Sequence, residues 1–468
     1  MFKKFVKESN SLPAQPKKAN LSLRKVSKQK VSKQKSYRWL WVVTGFAGVA
    51  LLSATAGAML AMTMASAPLL QRKLSPKDAA VFSKGDLSSI SNLQLPELTR
   101  PVNVLVLGAK VLTSDVSDPP QGEKNLGYQA LVNSFEGLTD TMMLVRFNPE
   151  AQKVALLSIP RDTRIEIPGY SVGKINEANS VGGPALAART VSHLLGGVGV
   201  DRYITINVQG VQALVDALGG VTVYVPKDMK YSDDSQHLYV NLKAGKQHLN
   251  GNQALQLLRF RSDENGDIGR VQRQQMVIRA LSEQVLNPMT LARLPKIISV
   301  IRAYIDTNLT VEEIFALVAY AVRVDRSKME MLITPGEYGD IETYGTSYWL
   351  PNLAKIQVIM AQHFNLGLNP TAASISPEKV RVAIQDTTRQ AAASSWINPL
   401  SKAGYSDVAI AEPYGEPLDT TRILAQQGDV ASAENIRRLL GFGEVRVDGN
   451  GDLESDVTVQ LGKDALRR

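Results

Sequence analysis

The chain has 468 residues, 44% hydrophobic and 21% charged, a globular composition with room for about three domains. It has no cysteine, which excludes disulfides, thiolate metal sites and cysteine nucleophiles, and no two of its four histidines fall at zinc-hydrolase spacing. Twelve basic residues against one acid give +11 in residues 1–38, which leaves −2 for the other 430 from a total of +9; the basic balance belongs to a tail, and no nucleic-acid partner is expected.

Residues 1–38 are polar and Lys-rich, with a tandem Val-Ser-Lys-Gln-Lys at 26–30 and 31–35. This composition predicts a disordered tail. Trp39–Ala65 then runs 27 residues without a charge. A stretch of at least about 18 such residues is enough to cross a bilayer. The basic residues ahead of it predict a cytoplasmic N-terminus and a single-pass anchor in the cytoplasmic membrane, with the bulk of the chain outside the cytoplasm. Residues 66–100 read as a polar stalk.

A domain over 101–364 opens with the buried-strand run Val102–Gly108, followed by a Ser/Asp/Pro/Gly loop at 110–127 and a short helix at 128–135. Strands are predicted at Thr141–Phe147, Lys153–Ile159, Tyr203–Asn207, Val221–Val225 and Met329–Ile333. Helices are predicted at Pro184–Leu195, Val208–Leu218, Gly251–Leu258 and Ser347–Phe364. From Gly269 to Arg323 the pattern is helical, broken near Asn287-Pro288. The apolar positions of Pro288–Ile305 line either a groove for a lipid chain or an ordinary core. A Pro/Ser/Ala linker at 365–377 leads to a smaller α/β domain at 378–468. Strands alternating with helices predict a mixed sheet sandwiched between helices.

Four arginines lie within fifteen residues, at 259, 261, 270 and 273. An extended Leu257–Arg261 turns Arg259 and Arg261 to one face. A turn at 263–267 follows, with Asp267 capping a helix from near Gly269. On that helix Arg270, Arg273 and Gln274 fall at i, i+3 and i+4. Guanidinium forks converging in this way suit a phosphate or pyrophosphate, and a solvated, salt-bridged surface is the plain alternative. Asp140 precedes one apolar strand, and Arg161 and Asp162 follow another; sheets of this class place ligands at strand ends. Lys174 follows a Gly-rich loop. Together these residues fit metal-assisted phosphoryl transfer, with carboxylates holding a cation or accepting a proton and arginines stabilising charge on the leaving oxygens.

These stretches resemble the LytR–CpsA–Psr family of membrane-anchored cell-envelope proteins. The resemblance covers residues 101–285 and is carried by Val102–Gly108, Thr139-Asp-Thr-Met-Met-Leu144, Leu157-Ser-Ile-Pro-Arg-Asp162, Lys174-Ile-Asn176, Arg259-Phe-Arg261, Gly269-Arg270 and Arg273-Gln-Gln275. Residues 378–462 resemble the LytR C-terminal domain. The resemblance implies a phosphotransferase that moves a glycan-phosphate from a polyprenyl-pyrophosphate carrier to peptidoglycan with magnesium. Its implied core is a mixed sheet between helices with an apolar polyprenyl groove. It assigns Asp140 to the metal or the proton and Arg161 to catalysis, and Lys174, Arg259, Arg261, Arg270 and Gln274 to the pyrophosphate. Two positions depart from the family's pattern: Lys110 stands for its usual Asp and Leu138 for its usual Arg. Asp115 is the candidate replacement carboxylate at the metal. Two other functions stay open, a non-catalytic binder of polyprenyl phosphates or envelope glycans and a membrane-bound regulator acting through the basic tail.

Overall fold

The structure, a computed structural model, describes residues 69, 71–89, 96–109, 135, 137–234, 238–260, 266–285, 287, 289–325, 328–367, 376–388, 390, 392–452 and 454–467. The basic tail, the apolar 39–65 segment and the helix expected at 128–135, except Phe135, lie outside these. Among the described residues no helix is long and apolar enough to cross a membrane.

The core is a six-stranded mixed sheet. Its strands are β1 (Val102–Ala109), β2 (Thr139–Asn148), β3 (Lys153–Ile159), β4 (Arg202–Ile206), β5 (Ile305–Thr307) and β6 (Met329–Ile333). They lie in the order β5-β4-β1-β2-β3-β6; β1 is parallel to β4 and β3 to β6, and the other pairs are antiparallel. The two-residue period of a strand assigns the faces. On β1, Leu105 and Leu107 point to one side, against helices α1 (Glu177–Leu194) and, further along, α7 (Leu353–Phe364). Val104 and Val106 point to the other, toward α2 (Val208–Leu218), α4 (Gly266–Val285), α5 (Met289–Tyr304) and α6 (Val311–Arg323).

Local chemistry fixes the helix ends. Asn207 caps α2 through Gly210 N–H, and Gly219, at φ 87°, ends it in the left-handed region that glycine tolerates. A capping box, Asn250 with Gln253, starts α3 (Gly251–Arg259), and another, Thr310 with Glu313, starts α6. Glu313 also pairs with buried Arg202 of β4 at 2.6 Å, so the same carboxylate ties helix to sheet.

Five expectations are corrected. Leu257–Arg259 is not extended: Ala254 and Leu257 are buried at helical spacing, and α3 continues through Arg259 before Phe260 turns out of it. The next helix starts at Gly266, so Asp267 lies within it. The helix expected over 347–364 begins only at Leu353, because Trp349–Pro351 pairs with Gly336–Tyr338 as a hairpin. The break after α5 contains β5, whose Asp306 and Thr307 are buried beside β4. Residues 71–89 and 96–100 are no free stalk: Leu87 is fully buried, and the Phe82 ring packs 5.1 Å from the Tyr203 ring.

A second sheet of five strands is built from β7 (Arg381–Asp386), β8 (Asp407–Ile410), β9 (Arg422–Ala425), β10 (Glu444–Arg446) and β11 (Val457–Leu461), in the order β8-β7-β11-β9-β10. Its core joins Val382, Ile384, Ile423 and Val459 to Leu400 of α8 (Ser394–Lys402) and Ile436 of α9 (Val430–Leu440). The segment after β10 docks on the core. Met331 N–H of β6 donates to Val447 O at 3.0 Å, Asp448 pairs with Arg279 of α4 at 2.6 Å, and Asp456 pairs with Lys355 of α7 at 2.6 Å.

Candidate functional site

The register of β2 and β3 builds the centre of the site. Met142 lies opposite Ile159, and two further steps along each chain set position 140 across from position 161. There Arg161 Nη1 donates to Asp140 Oδ1 at 2.6 Å, and its Nε donates to Asp162 Oδ2 at 3.2 Å. Lys174 Nζ reaches Asp162 Oδ1 at 2.8 Å. Charge therefore alternates along Asp140, Arg161, Asp162 and Lys174, and the four side chains keep 26%, 21%, 13% and 24% of their exposure. Such charge-assisted contacts are short and directional, and here they stay open to solvent on one side.

Backbone bonds hold the cluster still. Arg161 O accepts from Asn176 N–H at 3.2 Å, Thr163 O from Ile175 N–H at 2.9 Å, and Asp162 O from Trp349 N–H at 2.9 Å. Lys174 ends a short hairpin strand, Val172–Lys174, paired with Arg164–Glu166. The Glu177 carboxylate lies close over Gly173, where a Cβ would come 2.6 Å from it. Helix α4 crosses the strand ends: Gln274 Nε2 donates to Asp140 O at 3.4 Å, and Gln275 Nε2 to Ser158 Oγ at 2.6 Å.

Of the residues singled out from the sequence, Asp140, Arg161, Lys174 and Gln274 come together. Arg259 closes α3 one residue after Leu258, which lines the apolar cavity behind the site. Arg261 and Asp115 lie outside the described residues, as does the side chain of Arg270. Arg273, expected beside Arg270 and Gln274, is buried instead. Its Nη2 donates to Phe260 O at 2.8 Å and its guanidinium lies 5.3 Å from the Phe260 ring centre, so it joins α3 to α4. Asp162, singled out in the sequence with Arg161 but given no role of its own, links Arg161 to Lys174. The sequence reading missed Tyr338 and Trp349, which wall the site from the hairpin read as helix.

Two hollows meet at this point. A small one of about 40 Å³ is bounded by Asp140, Arg161, Asp162, Gln274, Tyr338 and Trp349. A larger one of about 350 Å³ lies between the sheet and α2, α4, α5 and α6, lined almost entirely by aliphatic side chains. Thr141, Gln274 and Ile278 line both, so the hollow beside Asp140, Arg161 and Asp162 adjoins the apolar chamber across these three side chains. Ile297 and Ile301 of α5 line the chamber, while Met289 is exposed. Among the described residues no three His, Asp or Glu side chains gather as a metal cage.

The architecture is that of an α/β protein with a charged strand-end site over an apolar chamber. The sequence model of the LytR_cpsA_psr family matches residues 71–365, more than half of the sequence, and the chain belongs to that family. Residues 379–464 match the LytR cell envelope-related transcriptional attenuator. The regulatory protein MsrR of Staphylococcus aureus (strain COL) is 34% identical over 209 residues; the match takes in 44% of this chain and spans only 62% of that relative's length. The polyisoprenyl-teichoic acid–peptidoglycan teichoic acid transferase TagV of Bacillus subtilis (strain 168) is 28% identical over 294 residues, covering 61% of this chain and 70% of that protein. The crystal structure of B. subtilis TagV superposes with a TM-score of 0.47 at 26% identity, over 57% of this chain and 99% of that one.

Proposed function

We propose that this protein is a membrane-anchored phosphotransferase that moves a glycan-phosphate from a polyprenyl-pyrophosphate carrier to peptidoglycan at the outer face of the cytoplasmic membrane. One observation carries the reading: the hollow bounded by Asp140, Arg161 and Asp162, the last paired with Lys174, adjoins the apolar chamber across side chains common to both. Charged groups beside an aliphatic space match a ligand with a doubly phosphorylated head and a hydrocarbon tail. The transferase TagV among its relatives and the uncharged 39–65 stretch support it.

In this reading Arg161 and Lys174 exchange part of their carboxylate pairing for pyrophosphate oxygens and hold the glycan-bearing phosphorus near Asp140. An acceptor hydroxyl oxygen attacks that phosphorus, its proton passes to the Asp140 carboxylate, and the bond to polyprenyl phosphate breaks, releasing polyprenyl phosphate. Gln274 and Trp349 narrow the approach and keep water from competing for the phosphorus. The donor chemistry fits magnesium to a limited degree. The ion commonly takes one or two carboxylates and completes its shell with phosphate and water, and the partly exposed Asp140 oxygens supply one such ligand. Bound there, magnesium would neutralise charge developing on the phosphate oxygens.

The test is incubation of the full chain in detergent with a polyprenyl-pyrophosphate glycan and peptidoglycan fragments. Release of polyprenyl monophosphate with labelled fragment is the expected result; persistence of the pyrophosphate lipid refutes transfer. The staphylococcal relative MsrR, a regulatory protein, favours a second reading, regulation, which here would act through the basic tail. In that case deleting residues 1–35 abolishes function while Arg161→Ala does not.

A further inference from the structure

Helix α4 lines a further cavity besides the two at the strand ends. Val277, Ile278, Leu281 and Val285 face the apolar chamber. Met276, Arg279, Ala280 and Glu283, at i, i+3, i+4 and i+7, face a separate cavity of about 280 Å³ on another side of the helix. This second cavity lies where the C-terminal sheet meets the core. Tyr224 and Lys246 come from the core hairpin Val221–Val225 with Gly245–Leu249; Tyr414, Glu416 and Arg422 come from the C-terminal part. The loop bearing Tyr414 is seated closely, since a Cβ on Gly415 would come 3.1 Å from Pro226 Cβ.

The cations in this cavity differ. Arg279 is held by Asp448 at 2.6 Å and by Glu283 at 3.4 Å. Arg422 Nη1 is buried and has no acceptor among the described residues. Burial, then the neighbouring Arg279 and Arg446, lower its pKa below the usual guanidinium range, against the smaller opposing pull of Tyr414 and Glu416. Burial pushes the Tyr414 phenol up to about 12, which keeps its hydroxyl a donor at neutral pH.

The lining selects its ligand. An aliphatic chain would lie against Glu416, Lys246 and Arg422 and offer none of them a partner. A bare inorganic anion would meet Arg422 but also face Glu283 and Glu416. A sugar suits this mixed lining: its hydroxyls donate to Glu416 and accept from Lys246, its C–H faces lie on tyrosine rings, and an acidic substituent takes the Arg422 guanidinium. The volume sits near the lower end of ligand pockets, about 300 Å³, which suits one ring.

We propose that the cavity between α4 and the C-terminal sheet is a second ligand site, for a single sugar ring carrying a carboxylate or phosphate that pairs with Arg422. The site is separate from the strand-end cluster, and its readout is binding, so it stands or falls apart from transfer. The experiment is saturation-transfer NMR on the full chain in detergent, with glucuronate and glucose 6-phosphate as probes and glucose and inorganic phosphate as controls. An acidic sugar is expected to bind better than both controls, and Arg422→Gln to weaken it by at least about tenfold. Glu416→Ala, a loop substitution with little demand on folding, is expected to weaken it severalfold; it carries the test if Arg422→Gln fails to fold by circular dichroism. Equal binding of glucose or of phosphate, no binding of either acidic sugar, or unchanged binding in the folded variants overturns the proposal.

Discussion

At the scale of single residues, Arg161 bears the most consequence. It spans two carboxylates, so removing it frees Asp140 and Asp162 to repel each other and takes a cation from the phosphate's position. Arg161→Ala is expected to lower transfer about 10²–10³-fold, measured as polyprenyl phosphate released, with a smaller loss for Arg161→Lys. Glu330 offers a test of stability instead. It accepts from Lys153 Nζ at 2.8 Å and His363 Nδ1 at 2.7 Å. Burial opposes its ionisation, but His363 and Lys153 outweigh this and hold its pKa below the ordinary value near 4.5. A depressed carboxyl stabilises the fold above its unfolded pKa, and that contribution disappears as pH falls through the folded value. The melting temperature should therefore fall more steeply below about pH 4 in the parent chain than in Glu330→Gln. The strand-end residues were legible in the sequence because apolar runs fixed β2 and β3 and the register followed. Asp162 was harder to rank, since an Asp next to an Arg is more often a plain salt bridge than a bridge to a distant lysine.

At the scale of elements, strands with long apolar runs and helices with clear stops were readable: β3, β6 and α2 have the bounds that sequence alone suggests. The short pieces were not. β5 has three residues, and no local pattern separates it from the helices on either side; only its place beside β4 makes it a strand. The Trp349–Pro351 hairpin failed for the same reason, and with it the aromatic wall of the site. The arginine stretch misled because two-residue spacing suits a strand, whereas packing of α3 against α2 and α4 set the conformation. The apolar chamber could not be read at all, because a helix face lining a void has the same periodicity as one packed solid. Its role can be tested by filling it. Ile301→Phe should leave the melting temperature unchanged or raise it, yet raise KM for long-chain polyprenyl donors more than for short ones, read from initial rates over a chain-length series.

At the scale of the whole molecule, the described residues beyond 376 are joined to the core by polar contacts and by apolar ones such as Val447. Asp448 has 7% of its side chain exposed and Arg279 has 19%. Asp448→Ala strips the nearer partner from that guanidinium and is expected to cost about 3 kcal/mol, the low end for a broken buried pair because Glu283 remains, measured by denaturant titration. This docking was illegible from sequence: it depends on single residues after β10 that form no motif.

The bond from Met331 to Val447 has a wider meaning. β6 is the last strand on its side of the core sheet, and residue 447 lies along its outer rim. Uncovered, that rim is a ready template for a foreign strand, and proteins shield such borders or suffer self-association. A chain cut after residue 365 should therefore cluster with its own kind at concentrations where the intact protein stays single, seen as growing light scattering at unchanged helix content. The terminal segment would then act as a guard against polymerisation, whatever else it binds.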